Sequence, residues 1–453
     1  MRVALLNLAH FPRHSHPRHH LAPLDLGVAA AQLEGAGHAV SFADSAVDGG
    51  PEVAVRTLLA SRPALLVVRP AVHALPDLGG LVAAASAAGV PTVVAGPAAT
   101  VLPGALLRDH PALAGALVGE VEAILPDLVA TWDGRGPLPA VPGLARPGDE
   151  AGAPALVDDL DALPPARHEL FVRRPYRFGY PLRTPRRLRM GYLLTARGCP
   201  HACTFCSPLE RASLGRTFRP RDPLRVADEA RTLQRLGATG LYLEDDVVAL
   251  SAARLAALSE AFLGAGVDLP WAFQARAGTI DAPTARLLAR AGASTVCVGV
   301  ESGDPAVLAR LDKRQAPADV RAQFAVLREA GLLTVAFVIV GTPGETAAAT
   351  EATRRLIREL RPDLLQVHFH TPYPGSRDGQ DGSGAFPLDP YATKFARPAP
   401  GPSSPHAARA ALYRDFYLSP STWLRAARHS GRFWAANLPT ALRLGAGLVA
   451  RLR

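Results

Sequence analysis

The first 130 or so residues alternate short apolar runs with stretches whose apolar positions recur at helical spacing. "RVALLNLA", "HAVSFAD", "ALLVVRP", "PTVVAGP" and "GALVGE" read as strands, and between them "DLGVAAAQLEGAG", a segment near 51–60 and "LGGLVAAASAAG" read as helices. This alternation predicts a parallel sheet with helices on both faces, a doubly wound α/β domain over residues 1–132. Its ligand edge is expected where the strands run out into loops. Residues 133–188 lose the rhythm and are rich in Pro, Gly and Arg, as in a linker; their arginines (173, 174, 177, 183, 186, 187 and 189 just beyond) read as a solvated run or as a screen for anionic groups. Over 189–375 the β/α rhythm resumes, with strands expected at 190–195, 240–245, 271–275, 295–300, 333–340 and 364–369. Four of the intervening helices end in a glycine before the next apolar run, and Asp281 and Asp304 stand where N-caps belong. Six β/α units fall short of the eight of a complete barrel, so a partial, laterally open barrel is predicted. Residues 376–453 form a Gly/Pro-rich stretch and then a helical tail.

Composition adds limits. A chain of 453 residues with 48% hydrophobic and 20% charged positions can form two or three globular domains. No apolar run reaches the ~18–20 residues of a membrane span. "MRVALLNLAHFPRH" reads as a first strand rather than a signal peptide, so a reducing, cytoplasmic setting is expected. The net charge of +9 carries little weight, because Lys313 and Lys394 are the only lysines among 49 basic residues and the Arg and Ala bias looks like genome composition. No nucleic-acid partner is expected. The tail concentrates charge: eight arginines face one acid, Asp415, with Phe416, Tyr417, Trp423, Phe433 and Trp434 interleaved. Such a tail either packs on the barrel as a basic helix or touches an anionic membrane surface peripherally.

Three of the four cysteines fall in Cys199-x3-Cys203-x2-Cys206. Three clustered thiols make a poor disulfide framework. Structural zinc would need a fourth ligand, His201 or a distant residue. An iron–sulfur cluster held by three thiolates would keep one iron open to a further ligand. The run follows the predicted strand "MGYLLT", so it lies at the strand end where β/α barrels carry active sites. Cys297, inside "STVCVGV", reads as core. His10, His14, His16, His19 and His20 are irregularly spaced and read as a solvated loop rather than a metal patch.

"CPHACTFC" resembles the cluster motif of the radical SAM superfamily, and the domain ahead of it makes the chain similar to the cobalamin-binding branch of that superfamily. The resemblance runs through most of residues 1–370 and implies a Rossmann-like cobalamin-binding domain followed by a partial (β/α)6 TIM-type barrel and the helical tail. It implies a 4Fe-4S cluster on Cys199, Cys203 and Cys206, S-adenosylmethionine (SAM) on the open iron, and Phe205 against the adenine. Strand-end groups implied at the SAM site are Asp245 and Asp246 in "YLEDD", Gln274, Arg276, Glu301 and Ser302 in "VGVES", and Gly341 in "FVIVGTPGET"; His368 and His370 are expected to point inward. "YLEDD" departs from the commoner Gly-Gly-Glu, and alone Glu301 could equally cap a helix and Asp245 sit in a loop. For cobalamin, the implied shelf is Gly96 and Pro97 with Gly119 and Glu120. The axial Asp-x-His-x-x-Gly of another cobalamin family is absent. The implied reaction is C-methylation of an unactivated carbon in a specialised metabolite or lipid-like small molecule, by way of a 5'-deoxyadenosyl radical and methylcobalamin. Cyclisation, rearrangement or anaerobic oxygen insertion are alternatives within the group, and a non-catalytic corrinoid or zinc protein is the alternative outside it. An electron donor such as flavodoxin or ferredoxin is implied as partner.

Overall fold

The computed structural model describes residues 1–9, 21–150, 152–210, 214–248, 250–379 and 404–452. The histidines at 10, 14, 16, 19 and 20 lie outside the described residues.

In the first domain, β1 (Arg2–Leu8), β2 (Ala39–Asp44), β3 (Leu65–Pro70), β4 (Thr92–Val94) and β5 (Gly115–Leu117) form a parallel sheet, to which β6 (Leu144–Ala145) adds antiparallel; the order is β2-β1-β3-β4-β5-β6. Both faces are covered, which is why the strands read as continuous apolar runs rather than alternating ones. Leu6, Leu66 and Val94 enter the core on one side; Leu5, Val67 and Val93 enter it on the other. The order reverses between β1 and β3, which opens a crevice at the carboxyl ends of these two strands. Asn7, Asp44 and Arg69 stand there. Asn7 donates to Asp44 (2.9 Å), and the Arg69 guanidinium pairs with Asp25 at 2.6 Å.

The second sheet comprises β7 (Met190–Leu193), then, beyond the short pair β8 (Ala196–Arg197) and β9 (Arg219–Pro220), β10 (Gly240–Leu243), β11 (Trp271–Arg276), β12 (Ala293–Glu301), β13 (Leu333–Val340) and β14 (Leu364–Phe369). All six are parallel neighbours in chain order, the predicted partial barrel. Asp281 and Asp304 accept hydrogen bonds from the first-turn N–H groups of their helices, as N-caps do. The helix-ending Gly237, Gly266, Gly292 and Gly331 all take positive φ, the conformation that stops a helix at least cost in glycine.

The segment expected as a linker is largely built into the structure. Its start completes the first sheet through β6. Its end packs as a wedge against the barrel strands, with Phe178, Tyr180 and Leu182 buried among Tyr192, Tyr242 and Cys297. Tyr180 donates to the Gln366 side chain at 2.8 Å, and the Thr295 hydroxyl donates to the Pro181 carbonyl. Cys297 is fully buried, as expected of a core residue. Among its described residues the tail forms three helices, Pro405–Tyr417, Pro420–Ala436 and Leu438–Leu452. Its first helix seals the edge of β14: Tyr413 accepts from Val367 N–H at 3.0 Å and Tyr417 donates to the Leu365 carbonyl at 2.8 Å. Asp415 takes Arg354 and Arg358, so part of the tail packs on the barrel. Among the described residues no helix is long and apolar enough to cross a membrane.

Candidate active site

The loop at residues 198–206 leaves β7 and crosses the carboxyl mouth of the barrel. It starts with Gly198 at φ +83°, where a Cβ would lie 2.0 Å from the Thr217 carbonyl oxygen. Only glycine fits both the dihedral and the backbone crossing. Gly198→Ala is therefore expected to displace the loop, at a cost of over about 1–2 kcal/mol from the dihedral alone. Iron content after anaerobic reconstitution should fall while the far-ultraviolet dichroism of the helices is kept.

None of the three cysteines is in a disulfide among the described residues, and all three are half-buried. The loop is held from several sides. Thr204 N–H donates to the Leu311 carbonyl (3.0 Å) and its hydroxyl to Asp378 (2.9 Å), which also receives His370 at 2.7 Å. Arg377 reaches the Ala202 carbonyl at 3.0 Å, and the Ser207 hydroxyl donates to the Pro374 carbonyl. Phe205 packs with Val307, Leu311 and Ala349.

Positive charge surrounds these thiols. Arg276, at the end of β11, lies 3.9 Å from the Cys203 sulfur. His201 is held below its usual pKa by burial first and then by Arg276, Lys313 and Arg314. Thiolate is the form of cysteine that ligates metal. Among the described residues no three of His, Cys, Asp and Glu converge on a single ion. Partly open thiols spaced around a loop under cationic cover suit a multi-iron cluster, whose ligands bind different irons.

Facing the loop, Glu301 and Lys313 form a buried pair at 2.6 Å, with the ammonium 5.8 Å from the Phe205 ring centre. Glu301 sits at φ +58°, next to a register shift in β12. A Cβ on Gly299 would come within 2.5 Å of the Glu301 carboxylate and 2.7 Å of the Lys313 ammonium, so the glycine makes room for the pair. Gln274 donates to the Tyr242 hydroxyl at 2.8 Å inside the barrel. Arg276, Glu301 and Phe205 thus lie around the cysteine loop.

Other expected residues have different roles. Ser302 is fully buried against Thr353 (3.1 Å) and the Asp304 N–H, on the helix side of β12. Gly341, at φ +82°, is approached by Pro405 of the tail, and its N–H donates to Glu345 at 2.7 Å. Asp245 accepts from Thr195 N–H at 2.6 Å and from its hydroxyl, so it ties down the chain leaving β7. Asp246 is half-buried beside it.

Burial lifts the Asp245 carboxyl from 3.8 to about 7, against the Thr195 hydrogen bonds that favour the charged form. A folded-state value above the unfolded one means that the native state holds the extra proton between them. The associated stability is full below pH 4 and is lost as pH rises toward 7, each unit being worth about 1.4 kcal/mol. Asp245→Asn keeps an acceptor for Thr195 and cannot ionise. It should flatten the decline in urea midpoint between about pH 4.5 and 7.5.

The first domain meets the site through a buried ion network. Arg197, immediately before the cysteine loop, pairs with Glu122 (2.6 Å) and Glu120 (3.3 Å), and Arg219 pairs with Glu120 at 2.7 Å. Glu120 also accepts from Val157 N–H, and at Gly119 a Cβ would strike the Ala155 carbonyl at 2.1 Å. These two positions, expected as an open shelf, are occupied by the chain's own residues. The expected pair Gly96 and Pro97 starts a helix at the end of β4; Gly96 has φ +79° and lies against Arg69, where a Cβ would come within 2.9 Å of Cγ. On β7 and just beyond the end of β10, two buried polar atoms have no hydrogen-bond partner among the described residues, the Tyr192 hydroxyl and Glu244 Oε1. Glu244 is pushed well above its usual pKa by burial, with Arg69 opposing. Sequence reading passed over Glu244, Lys313 and the Arg197 network. Lys313 alone had a signal, as one of two lysines in an arginine-rich chain.

The cysteine loop lies over the carboxyl mouth of a six-stranded parallel barrel, and residues 193–357 match the radical SAM superfamily. Such a domain holds a 4Fe-4S cluster and SAM. The chain is 28% identical to an uncharacterised methyltransferase of Pyrococcus horikoshii over 63% of its own length and 61% of the relative's. It is likewise 28% identical to the hopanoid C-3 methylase of Methylococcus capsulatus, over 79% of this chain and 68% of that one. Its fold is shared with the radical SAM methyltransferase TsrM of Kitasatospora setae at TM-score 0.66 and 21% identity, covering 83% of this chain and 75% of TsrM.

Proposed function

We propose that this chain is a cobalamin-dependent radical SAM enzyme that methylates an unactivated carbon of a small molecule. The observation that carries the reading is the cysteine loop beneath Arg276 and the Glu301–Lys313 pair, joined to the strand ends of the first domain through Arg197. The methyltransferase relatives, and TsrM, whose solved forms include one with cobalamin and a 4Fe-4S cluster bound, support it.

When bound, the cluster supplies the electron that cleaves SAM to an organic radical, and the corrinoid supplies the methyl group. Cys199, Cys203 and Cys206 would hold the cluster, and an external electron donor would reduce it. Glu301, Lys313 and Arg276 offer paired charges to the amino and carboxylate groups of SAM, beside the Phe205 ring. Asn7, Arg69 and Gly96 at the first domain's strand ends would border the corrinoid, and the Tyr192 hydroxyl and Glu244 Oε1, without a hydrogen-bond partner among the described residues, would offer it polar contacts. Gly119 and Glu120 are left out of that set because they are internally covered.

The test is anaerobic reconstitution followed by incubation with methyl-labelled SAM and candidate extracts. Label in a product together with deoxyadenosine supports the proposal. Deoxyadenosine with no transferred label would move the assignment to cyclisation or rearrangement, and neither product would sink the radical reading.

A further inference from the structure

A cavity of about 360 Å³ lies at the edge of the barrel remote from the cysteines, between the start of β14 and the tail helices. Its walls include Leu364, Trp423, Ala427, Gly431, Trp434 and Leu448, and Tyr413 and Tyr417 turn their hydroxyls to the backbone of β14. The result is an apolar chamber of the size that holds a small-molecule ligand. Trp423 lines it while 59% exposed, which places the mouth at the tail surface.

The chamber adjoins a basic recess bounded by Arg183, Arg328, Arg361, Arg425 and His429. Two carboxylates lie there, and both are engaged: Glu359 by Arg321 at 2.7 Å, Asp363 by His429 at 2.8 Å. Among the described residues Arg425 hydrogen-bonds only the hydroxyls of Ser421 and Thr422, and its buried Nε has no partner. None of the four arginines forms an ion pair among the described residues. On the outer faces of the same helices, Leu418, Leu424, Leu438 and Leu442 are 55–65% exposed, half of the chain's described exposed large hydrophobics when Trp423 is included. Leucine and tryptophan beside arginine is the chemistry of an interfacial membrane helix.

We propose that the tail docks on an anionic membrane and draws one acyl chain of an anionic lipid into this chamber, with the headgroup on Arg361 and Arg425. The site lies at the amino ends of the barrel strands, so the proposal is independent of the reaction at the cysteine loop.

The test uses the full, iron-reconstituted chain with phosphatidylcholine vesicles, alone or with about 30% phosphatidylglycerol. Sedimentation should be strong only with the anionic vesicles. The fluorescent fatty acid cis-parinarate should bind saturably, be displaced by oleate and resist inorganic phosphate. The double variant Arg361→Gln/Arg425→Gln should weaken both by about tenfold or more, as loss of charged hydrogen bonds does. Gly431 has open space at its Cβ, so Gly431→Trp should fill the chamber and abolish parinarate binding. Ala427→Phe serves as a second filling variant should the first not fold, with SAM cleavage as the check on the distant site. Displacement of parinarate by phosphate, or vesicle and parinarate binding unchanged in the filled variants, would overturn the proposal.

Discussion

Replacing Cys203 with Ala is expected to remove most of the iron from the reconstituted protein and to abolish SAM cleavage, while leaving the fold intact. Wild type should carry about four irons per chain, each thiolate binding a separate iron. Two thiolates cannot hold the same cluster against solvent. The side chain lost is half-buried and its removal opens no core cavity, so stability should change little. The Arg276 guanidinium lies 3.9 Å from the Cys203 sulfur. Arg276→Met should therefore give an intermediate result, with iron retained in part and lost faster on dilution, because the thiolate loses its charge partner. Iron and sulfide analysis beside the visible absorption of the cluster separates the variants. Wild-type iron content and SAM cleavage in Cys203→Ala would end the cluster assignment. Cys297→Ala is the contrasting control, since that thiol is core.

What made this site readable was periodicity on one side and a short motif on the other. The barrel strands were legible because β/α alternation is a local pattern, with Gly237, Gly266, Gly292 and Gly331 marking the helix ends. The first strand was expected to run to 195 and stops at Leu193. Beyond it, Thr195 N–H turns to the Asp245 carboxylate instead of a neighbouring strand. The wedge was hidden for a different reason. Phe178, Tyr180 and Leu182 alternate as a buried strand would, but Pro and Arg between and around them imitate a solvated linker. Long-range pairs were invisible in principle. Glu120 and Arg219 are 99 positions apart, and nothing local tells a strand-end glutamate that binds a ligand from one that binds an arginine. The same holds for Ser302, whose partner Thr353 comes from a later helix.

The largest stability effect is expected from that invisible network. Arg197 is 6% exposed and Glu122 wholly buried, and their pair fixes the cysteine loop's root to the first domain. Arg197→Met keeps the volume but leaves Glu122 without its cation; Glu120 retains Arg219. Removing one partner of a buried pair costs about 3–5 kcal/mol. Burial already pushes the Glu122 carboxyl above its usual pKa, with Arg197 as the main opposing influence, so the variant should push it further. A carboxyl raised in the folded state makes the native form bind the extra proton, and stability then falls as pH rises. The cost of Arg197→Met in urea unfolding should thus be greater near pH 8 than near pH 5, as a neutral Glu122 replaces a stranded anion. Adding Glu122→Leu removes the stranded group and should recover most of the loss, since an apolar pair of similar volume is often as stable as the ion pair it replaces. Iron uptake separates the two roles of the arginine. If the double variant regains stability but still takes up iron poorly, the pair positions the cysteine loop; if both recover together, its part is stability alone.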